Sequence, residues 1–219
     1  MTDAALTLYG YWRSSAAYRV RIALHLKALA FASEPVHLLR DGGEQRAPAH
    51  AARNPQRLVP VLRHGERMLT QSLAIIEYLD EVFPSLPLLP ADPVARHRAR
   101  ALAQLVACDI HPLGNLRVLQ FLEREWGIDP VARTRWIERW VADGLAAFET
   151  LLGEAPEAGR FCVGDAPGLA DCALVPQLYN ARRFGIDLAP YPHILAIESA
   201  CLAMPAFTAA RPEAQPDAA

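Results

Sequence analysis

Short apolar runs alternate with polar, glycine-bearing turns up to about residue 83, and from there on apolar residues recur at helical intervals. Leu6 and Leu8 mark a strand over residues 6–9, and a helix follows over 16–29. Residues 35–38 give a second strand, and the polar, Ala-rich stretch 41–54 carries helical content. A third strand spans 59–62, and a short fourth spans 67–70 beside a turn at Gly65. A helix over 72–83 then presents Leu73, Ile76 and Leu79 on one face. The order βαβ followed by ββα predicts a small mixed sheet with helices packed on it.

Pro84, Pro87, Pro90 and Pro93 fall in one short stretch, which excludes an ordinary helix and offers few strand donors. It reads as a linker over 85–93 between a first domain, 1–84, and a second, 94–219. Asp92-Pro93 is a good helix start. Apolar spacing predicts a helix over 94–122, bent or interrupted at Pro112. A second long helix over 133–152 has Trp136, Trp140, Leu145 and Phe148 on its inner face, and a third leads from about Asp171 through Arg183. After Arg211 the chain is rich in Pro and Ala, and weak order is expected there.

Composition narrows the function more than the fold. The 219 residues are 52% hydrophobic with a net charge of -2, so there is enough apolar material for a core and no basic field for nucleic acid or a membrane surface. No apolar run is long enough to span a bilayer, and no basic-then-apolar leader is evident. The four cysteines, Cys108, Cys162, Cys172 and Cys201, show neither C-x-x-C spacing nor zinc-type intervals with histidine. They read as buried thiols of a reducing, cytoplasmic setting, with no metal site.

Three short motifs can carry chemistry. Ser14-Ser15 lies between the first strand and a basic amphipathic helix, where free N–H groups and the helix dipole favour an anion; an ordinary N-cap explains the same serines. No cysteine precedes Cys108, so a thiolate there arrives on a small molecule. Val59-Pro60 is either a trans strand entry or a cis-proline that presents the Val59 backbone to a ligand peptide. Gln71-Ser72 opens a helix, as a cap or as a carboxylate site. Trp136 and Trp140, at i,i+4, fit core packing better than a ligand platform. His25, His50, His64 and His97 have no convincing partners in the sequence.

S-S-A-A-Y-R-V-R-I-A-L, N-P-Q-R-L-V-P-V-L, Q-S-L-A-I-I-E-Y-L-D, C-D-I-H-P-L-G-N-L-R-V-L, F-C-V-G-D-A-P-G-L-A-D and N-A-R-R-F occur in that order. Together they resemble the zeta class of the glutathione transferases, the family of maleylacetoacetate and maleylpyruvate isomerases. The resemblance implies an α/β thioredoxin-like N-terminal domain, an all-α C-terminal domain, a homodimer, and glutathione bound between the domains. By position it assigns the thiolate to Ser14, Ser15 and the helix start, the cysteinyl backbone to Val59 beside Pro60, the γ-glutamyl end to Gln71 and Ser72, and the glycine end to Gln45. His111 and Asn115 fall where the helical domain of the family reaches the cofactor. Two positions depart from the family pattern. Ala16 and Tyr18 replace a common Cys and Trp, and Gly168 replaces Ser or Thr at a helix start, where Asp171 can still bond back to the Gly168 N–H.

The implied chemistry is addition of glutathione thiolate to a cis double bond conjugated to carbonyls, rotation about the resulting single bond, and elimination to the trans isomer. Glutathione is regenerated. A substrate with two acidic groups calls for several cations, and Arg13, Arg117 and Arg182 are the candidates, against surface or ion-pair roles for each. Arg19 and Arg21, on the helix itself, suit structural ion pairs. Two other functions share these residues: a transferase or dehalogenase that consumes glutathione on halogenated acids, and a non-catalytic glutathione-binding protein.

Overall fold

The computed structural model describes residues 4–154 and 159–218, which fall into two compact units, 4–89 with 202–218, and 90–154 with 159–201. In the first unit, β1 (Leu6–Gly10) leads into α1 (Ser15–Leu26), and β2 (Phe31–Pro35) returns parallel to β1. A polar loop and α2 (Pro48–Arg53) follow, then β3 (Val61–His64), β4 (Arg67–Thr70) and α3 (Ser72–Val82). The sheet order is β2-β1-β3-β4, with β3 antiparallel to both neighbours. The mixed sheet and its helices are those the alternation predicts.

The second and third strands differ from expectation in their boundaries, for different reasons. The second strand is 31–35, not 35–38, and its Ala32, Ser33 and Glu34 are exposed on the sheet edge, where no apolar alternation is needed to mark them. The third strand starts at Val61, because Pro60 has no N–H to give the ladder.

The core of this unit lies between the sheet and α1 with α3. Val20, Ile22, Leu24, Leu62, Ile75, Ile76 and Leu79 are fully buried there. Close packing at the head of α1 depends on Gly10, since a Cβ at that position would sit 3.2 Å from the Ala17 Cβ. The proline-rich stretch is tied down at its start: buried Lys27 donates to Asp80 at 2.8 Å and to the carbonyls of Ser85 and Leu86, while Asp80 accepts from the N–H groups of Leu88 and Leu89.

The tail is ordered, contrary to expectation. Residues 202–218 pack with the first unit rather than with the helical residues that precede them. The Tyr18 hydroxyl, deep in the core, reaches the Phe207 carbonyl on α9 (Pro205–Ala209) at 3.5 Å, and Asp217 accepts from the Trp12 N–H at 3.0 Å. Arg21 is buried and donates to the carbonyls of Ala210 (3.0 Å) and Trp12 (2.8 Å). Its hydrogen-bond partners are carbonyls, the Asp217 carboxylate acts on it only at longer range, and burial lowers its pKa to about 10. These long-range bonds leave no local periodicity, so composition alone makes the tail look disordered.

The second unit is all helical. α4 (Pro93–Gln104) is capped by Asp92, as expected. It passes into a π-helical turn over Leu105–Ile110, a 3₁₀ turn over His111–Gly114 and α5 (Leu116–Glu125), so the long periodic stretch is interrupted before Pro112 as well as at it. α6 (Pro130–Gly153) starts earlier than predicted because Asp129-Pro130 repeats the Asp-Pro start. Its inner face is Ile137, Val141, Leu145, Phe148 and Leu152; Trp136 is half-buried and Trp140 is exposed, which corrects the expected placement of both tryptophans. α7 (Leu169–Arg183) is the buried central helix, and α8 (Pro192–Leu202) follows. None of the described helices is long and apolar enough to cross a membrane.

Asp171 organises the start of α7. It is buried and accepts from the N–H groups of Gly168 (2.8 Å) and Cys162 (3.0 Å). Burial raises its pKa despite these bonds. Asp171→Ala leaves both donors unsatisfied, and a loss of about 2–3 kcal/mol of stability is expected in urea unfolding; a loss under about 0.5 kcal/mol contradicts this role.

Candidate active site

The site begins where β1 ends. The chain turns through Tyr11, whose carbonyl accepts from the Ser14 N–H at 2.9 Å, and α1 starts at once. Ser14 is the N-cap, with extended backbone and a hydroxyl that accepts from the Ala17 N–H at 3.2 Å. The two serines thus divide their work. Ser14 satisfies the third N–H of the helix, while the N–H groups of Ser15 and Ala16 and the Ser15 hydroxyl engage no hydrogen-bond partner among the described residues. A helix N-terminus with two open donors and an adjacent hydroxyl favours an anion.

A second set of donors lies at the start of α3. Gln71 precedes the helix with φ 66 and ψ 108, a left-handed conformation that costs a non-glycine residue about 1–3 kcal/mol. Its side chain donates to Gln56 at 2.8 Å. Ser72 is buried, and its oxygen accepts from the buried Arg19 guanidinium at 3.2 Å. With an oxygen lone pair occupied by a cation, the Ser72 hydroxyl hydrogen is free to donate outward. Arg19 belongs to this site as a support for Ser72, a role that sequence alone did not reveal, because α1 and α3 meet only in the fold.

Between the two helix starts runs the segment before β3. The Val59-Pro60 peptide is cis rather than a trans strand entry. Neither the N–H nor the carbonyl of Val59 is in a hydrogen bond among the described residues. Gln45, in a 3₁₀ turn over Glu44–Arg46, is buried. Its Nε2 donates to the Leu38 carbonyl at 3.4 Å, and its Oε1 has no partner among the described residues. Gly43 (φ 105) makes room for it, since a Cβ there would come within 2.6 Å of the Gln45 amide oxygen. The first unit therefore brings Ser14, Ser15, Gln45, Val59, Gln71 and Ser72 into one α/β framework. Arg13, next to the serines, is half-buried with its guanidinium 5.0 Å over the Trp12 ring.

The remaining candidates belong to the second unit. His111 opens the 3₁₀ turn that follows the π-helical turn. Asn115 caps α5, accepting from the Arg117 N–H at 3.2 Å, so its side chain has a structural task. Arg117 is exposed in the first turn of α5. Arg182, near the end of α7, forms a two-pronged ion pair with buried Glu198 on α8, which raises its pKa. An ion pair was the competing role for this arginine, and the pair fixes the orientation of its half-exposed guanidinium. The described residues contain no group of three His, Cys, Asp or Glu able to hold a metal ion.

Comparison with known proteins covers both units. Residues 8–87 match the family model for the glutathione S-transferase N-terminal domain, and residues 130–198 match that for its C-terminal domain. A maleylacetoacetate isomerase of Pseudomonas aeruginosa is 52% identical over 97% of this chain and 98% of its own length. A maleylpyruvate isomerase of a Ralstonia species is 48% identical over 98% of this chain and 100% of its own. Among solved structures, a holo maleylpyruvate isomerase described as a bacterial zeta-class glutathione S-transferase superposes with a TM-score of 0.94 at 48% identity, covering 97% of this chain and 100% of that one. A maleylacetoacetate isomerase of Anaeromyxobacter dehalogenans with glutathione in its active site gives a TM-score of 0.87 at 49% identity, covering 98% of each chain.

The division of work between the serines is testable by unfolding. Ser14→Ala removes the cap of α1 and is expected to lower stability by about 1 kcal/mol in urea titration, whereas Ser15→Ala changes it by less than about 0.5 kcal/mol. Equal losses for the two variants contradict the assignment.

Proposed function

The chain belongs to the glutathione transferase family, in its zeta class, and from this we propose that it is a glutathione-dependent isomerase that converts a maleyl dicarboxylate, maleylacetoacetate or maleylpyruvate, to the fumaryl isomer. The observation that carries the reading is the open first turn of α1, with the Ser15 hydroxyl and the Ser15 and Ala16 N–H groups uncommitted. Relatives at about this identity across their full length carry both isomerase names, and one has been solved with glutathione in its active site.

Glutathione is the cofactor. Its sulfur is placed at Ser14 and Ser15, its cysteinyl backbone on Val59 beside Pro60, its γ-glutamyl carboxylate on Gln71 and Ser72, and its glycine end on Gln45; His111 and Asn115 are further proposed contacts. A free thiol ionises near a pKa of ~8.5, and a helix N-terminus lowers that value. The Ser15 hydroxyl, donating to sulfur, strengthens the effect by stabilising the charged form. The thiolate adds to the cis carbon–carbon double bond, and the electron pair moves onto the conjugated carbonyl oxygen as an enolate. Rotation about the new single bond and collapse of the enolate expel the thiolate and leave the trans alkene. No atom of glutathione is consumed, and Ala16 in place of a cysteine removes nothing that these steps need.

Arg13, Arg117 and Arg182 are the proposed partners of the substrate carboxylates and the enolate. Glu198 takes one N–H from each of Nη1 and Nη2 of Arg182 and would orient the guanidinium, leaving its Nε–H and outer N–H groups for a substrate oxygen. A cytoplasmic homodimer completes the proposal; Cys162, Cys172 and Cys201 are buried and in no disulfide, which supports a reducing compartment, while Cys108 is exposed, against the burial expected of all four. The same thiolate site supports displacement on small halogenated acids as a second activity.

Purified protein is expected to turn over a maleyl acid only when glutathione is present, with glutathione recovered unchanged. Ser15→Ala is expected to lower kcat/KM by about 10- to 100-fold, the worth of one hydrogen bond to a charged group. Absence of turnover with both maleylacetoacetate and maleylpyruvate, or an unchanged Ser15→Ala enzyme, would overturn the mechanism.

A further inference from the structure

One loop in the first unit is held in a way that the proposed chemistry does not yet use. The carbonyl of Leu58 accepts two side-chain hydrogen bonds, from His50 Nε2 at 3.0 Å and from Asn54 Nδ2 at 2.9 Å. Both donors are almost completely buried, His50 at 2% and Asn54 at 3% exposed. His50 lies on α2 and Asn54 is its C-cap, so the two approach one oxygen from consecutive turns of the same element. Asn54 also fixes the start of the loop, its Oδ1 accepting from the Gln56 N–H at 3.0 Å and its carbonyl from the Arg57 N–H at 2.9 Å.

The Leu58 carbonyl and the Val59 N–H belong to the same peptide unit. That unit is planar, so fixing the direction of the oxygen fixes the direction of the N–H on the other side. An oxygen with two lone pairs and two donors has no hydrogen-bonding freedom left. The Val59 N–H, the other end of the plane, donates to no group among the described residues. An uncommitted donor whose orientation is set by two buried side chains is prepared for an external acceptor, and the ordering is complete before the ligand arrives.

We propose that His50 and Asn54 are positioning residues for cofactor binding, locking the Leu58–Val59 peptide plane so that the Val59 N–H points at the peptide carbonyl of glutathione. The inference rests on the assignment of Val59 to the cysteinyl backbone. It gives a task to His50, for which the sequence showed none, and to the Asn of the N-P-Q-R-L-V-P motif. The Nε2 of His50 must carry its proton, because it faces a carbonyl.

The test is calorimetric titration with S-methylglutathione of the wild type and of the His50→Leu, His50→Gln and Asn54→Asp variants, with melting temperatures and kcat at saturating glutathione. His50→Leu removes one donor, and Asn54→Asp sets an oxygen against the carbonyl at unchanged shape. Each is expected to weaken binding about fivefold or more, with kcat within about twofold. His50→Gln keeps a donor at similar reach and is expected to restore binding to within about twofold of wild type. Wild-type affinity in both His50→Leu and Asn54→Asp, or equal losses in His50→Leu and His50→Gln, overturns the inference.

A wild-type measurement covers the case in which the variants do not fold. In protein labelled with ¹⁵N-valine, the Val59 amide is expected to shift on saturation with S-methylglutathione, and an unmoved Val59 amide in protein that binds the ligand overturns the inference. Failure of the wild type to bind S-methylglutathione at all would instead sink the proposed function, so the two failures are distinct.

Discussion

The first turn of α1 sets the constraint on which the other features depend. A helix must begin immediately after a central strand, its leading N–H groups must stay open, and the helix behind them must still be buried. Gly10 meets the steric part by letting Ala17 approach β1. Ser14 meets the polar part by capping the third N–H and leaving the first two. Burial is met from the far end of the chain, where Tyr18 and Arg21 bond to carbonyls at and beyond α9, and Asp217 takes the Trp12 N–H. The closing segment thus braces the loop that carries Arg13 and the two serines.

The same framework explains why two arginines are buried in a helix of an α/β unit. Arg19 crosses to Ser72 and couples the start of α3 to α1. Arg21 cross-links the tail to the Trp12 carbonyl, and burial leaves it less basic than a solvated arginine. These two charges are therefore part of the scaffold around the candidate site. Arg13, in the same loop, is stacked on Trp12 next to the two serines, and it is a proposed substrate partner. In the second unit, the Arg182–Glu198 pair shows similar logic, with a buried carboxylate fixing the plane of a half-exposed fork.

Much of this was legible in the chain. Alternation and helical spacing gave the order of elements, and Asp92-Pro93, Gln71-Ser72 and Ser14-Ser15 marked helix starts that the structure contains. Local signals failed where distant partners decide the outcome. The tail looked disordered because its stabilising bonds run to residues 12, 18 and 21. The second strand was displaced because an edge strand such as 31–35 needs no apolar alternation. Trp136 and Trp140 were placed inward by spacing alone, although the buried stripe of α6 runs through Ile137 and Val141, one position further along. His50 appeared idle because its partner, Leu58, is a backbone carbonyl that no side-chain pattern records.

The N-terminus of α1, with Ser15, is proposed to hold glutathione as its thiolate. Titration of the thiolate absorbance of the protein–glutathione complex against pH tests it most directly. The bound thiol is expected to ionise well below the ~8.5 of a free thiol, and to shift back toward that value in Ser15→Ala. A bound thiol that titrates like free glutathione in the wild-type protein would contradict it.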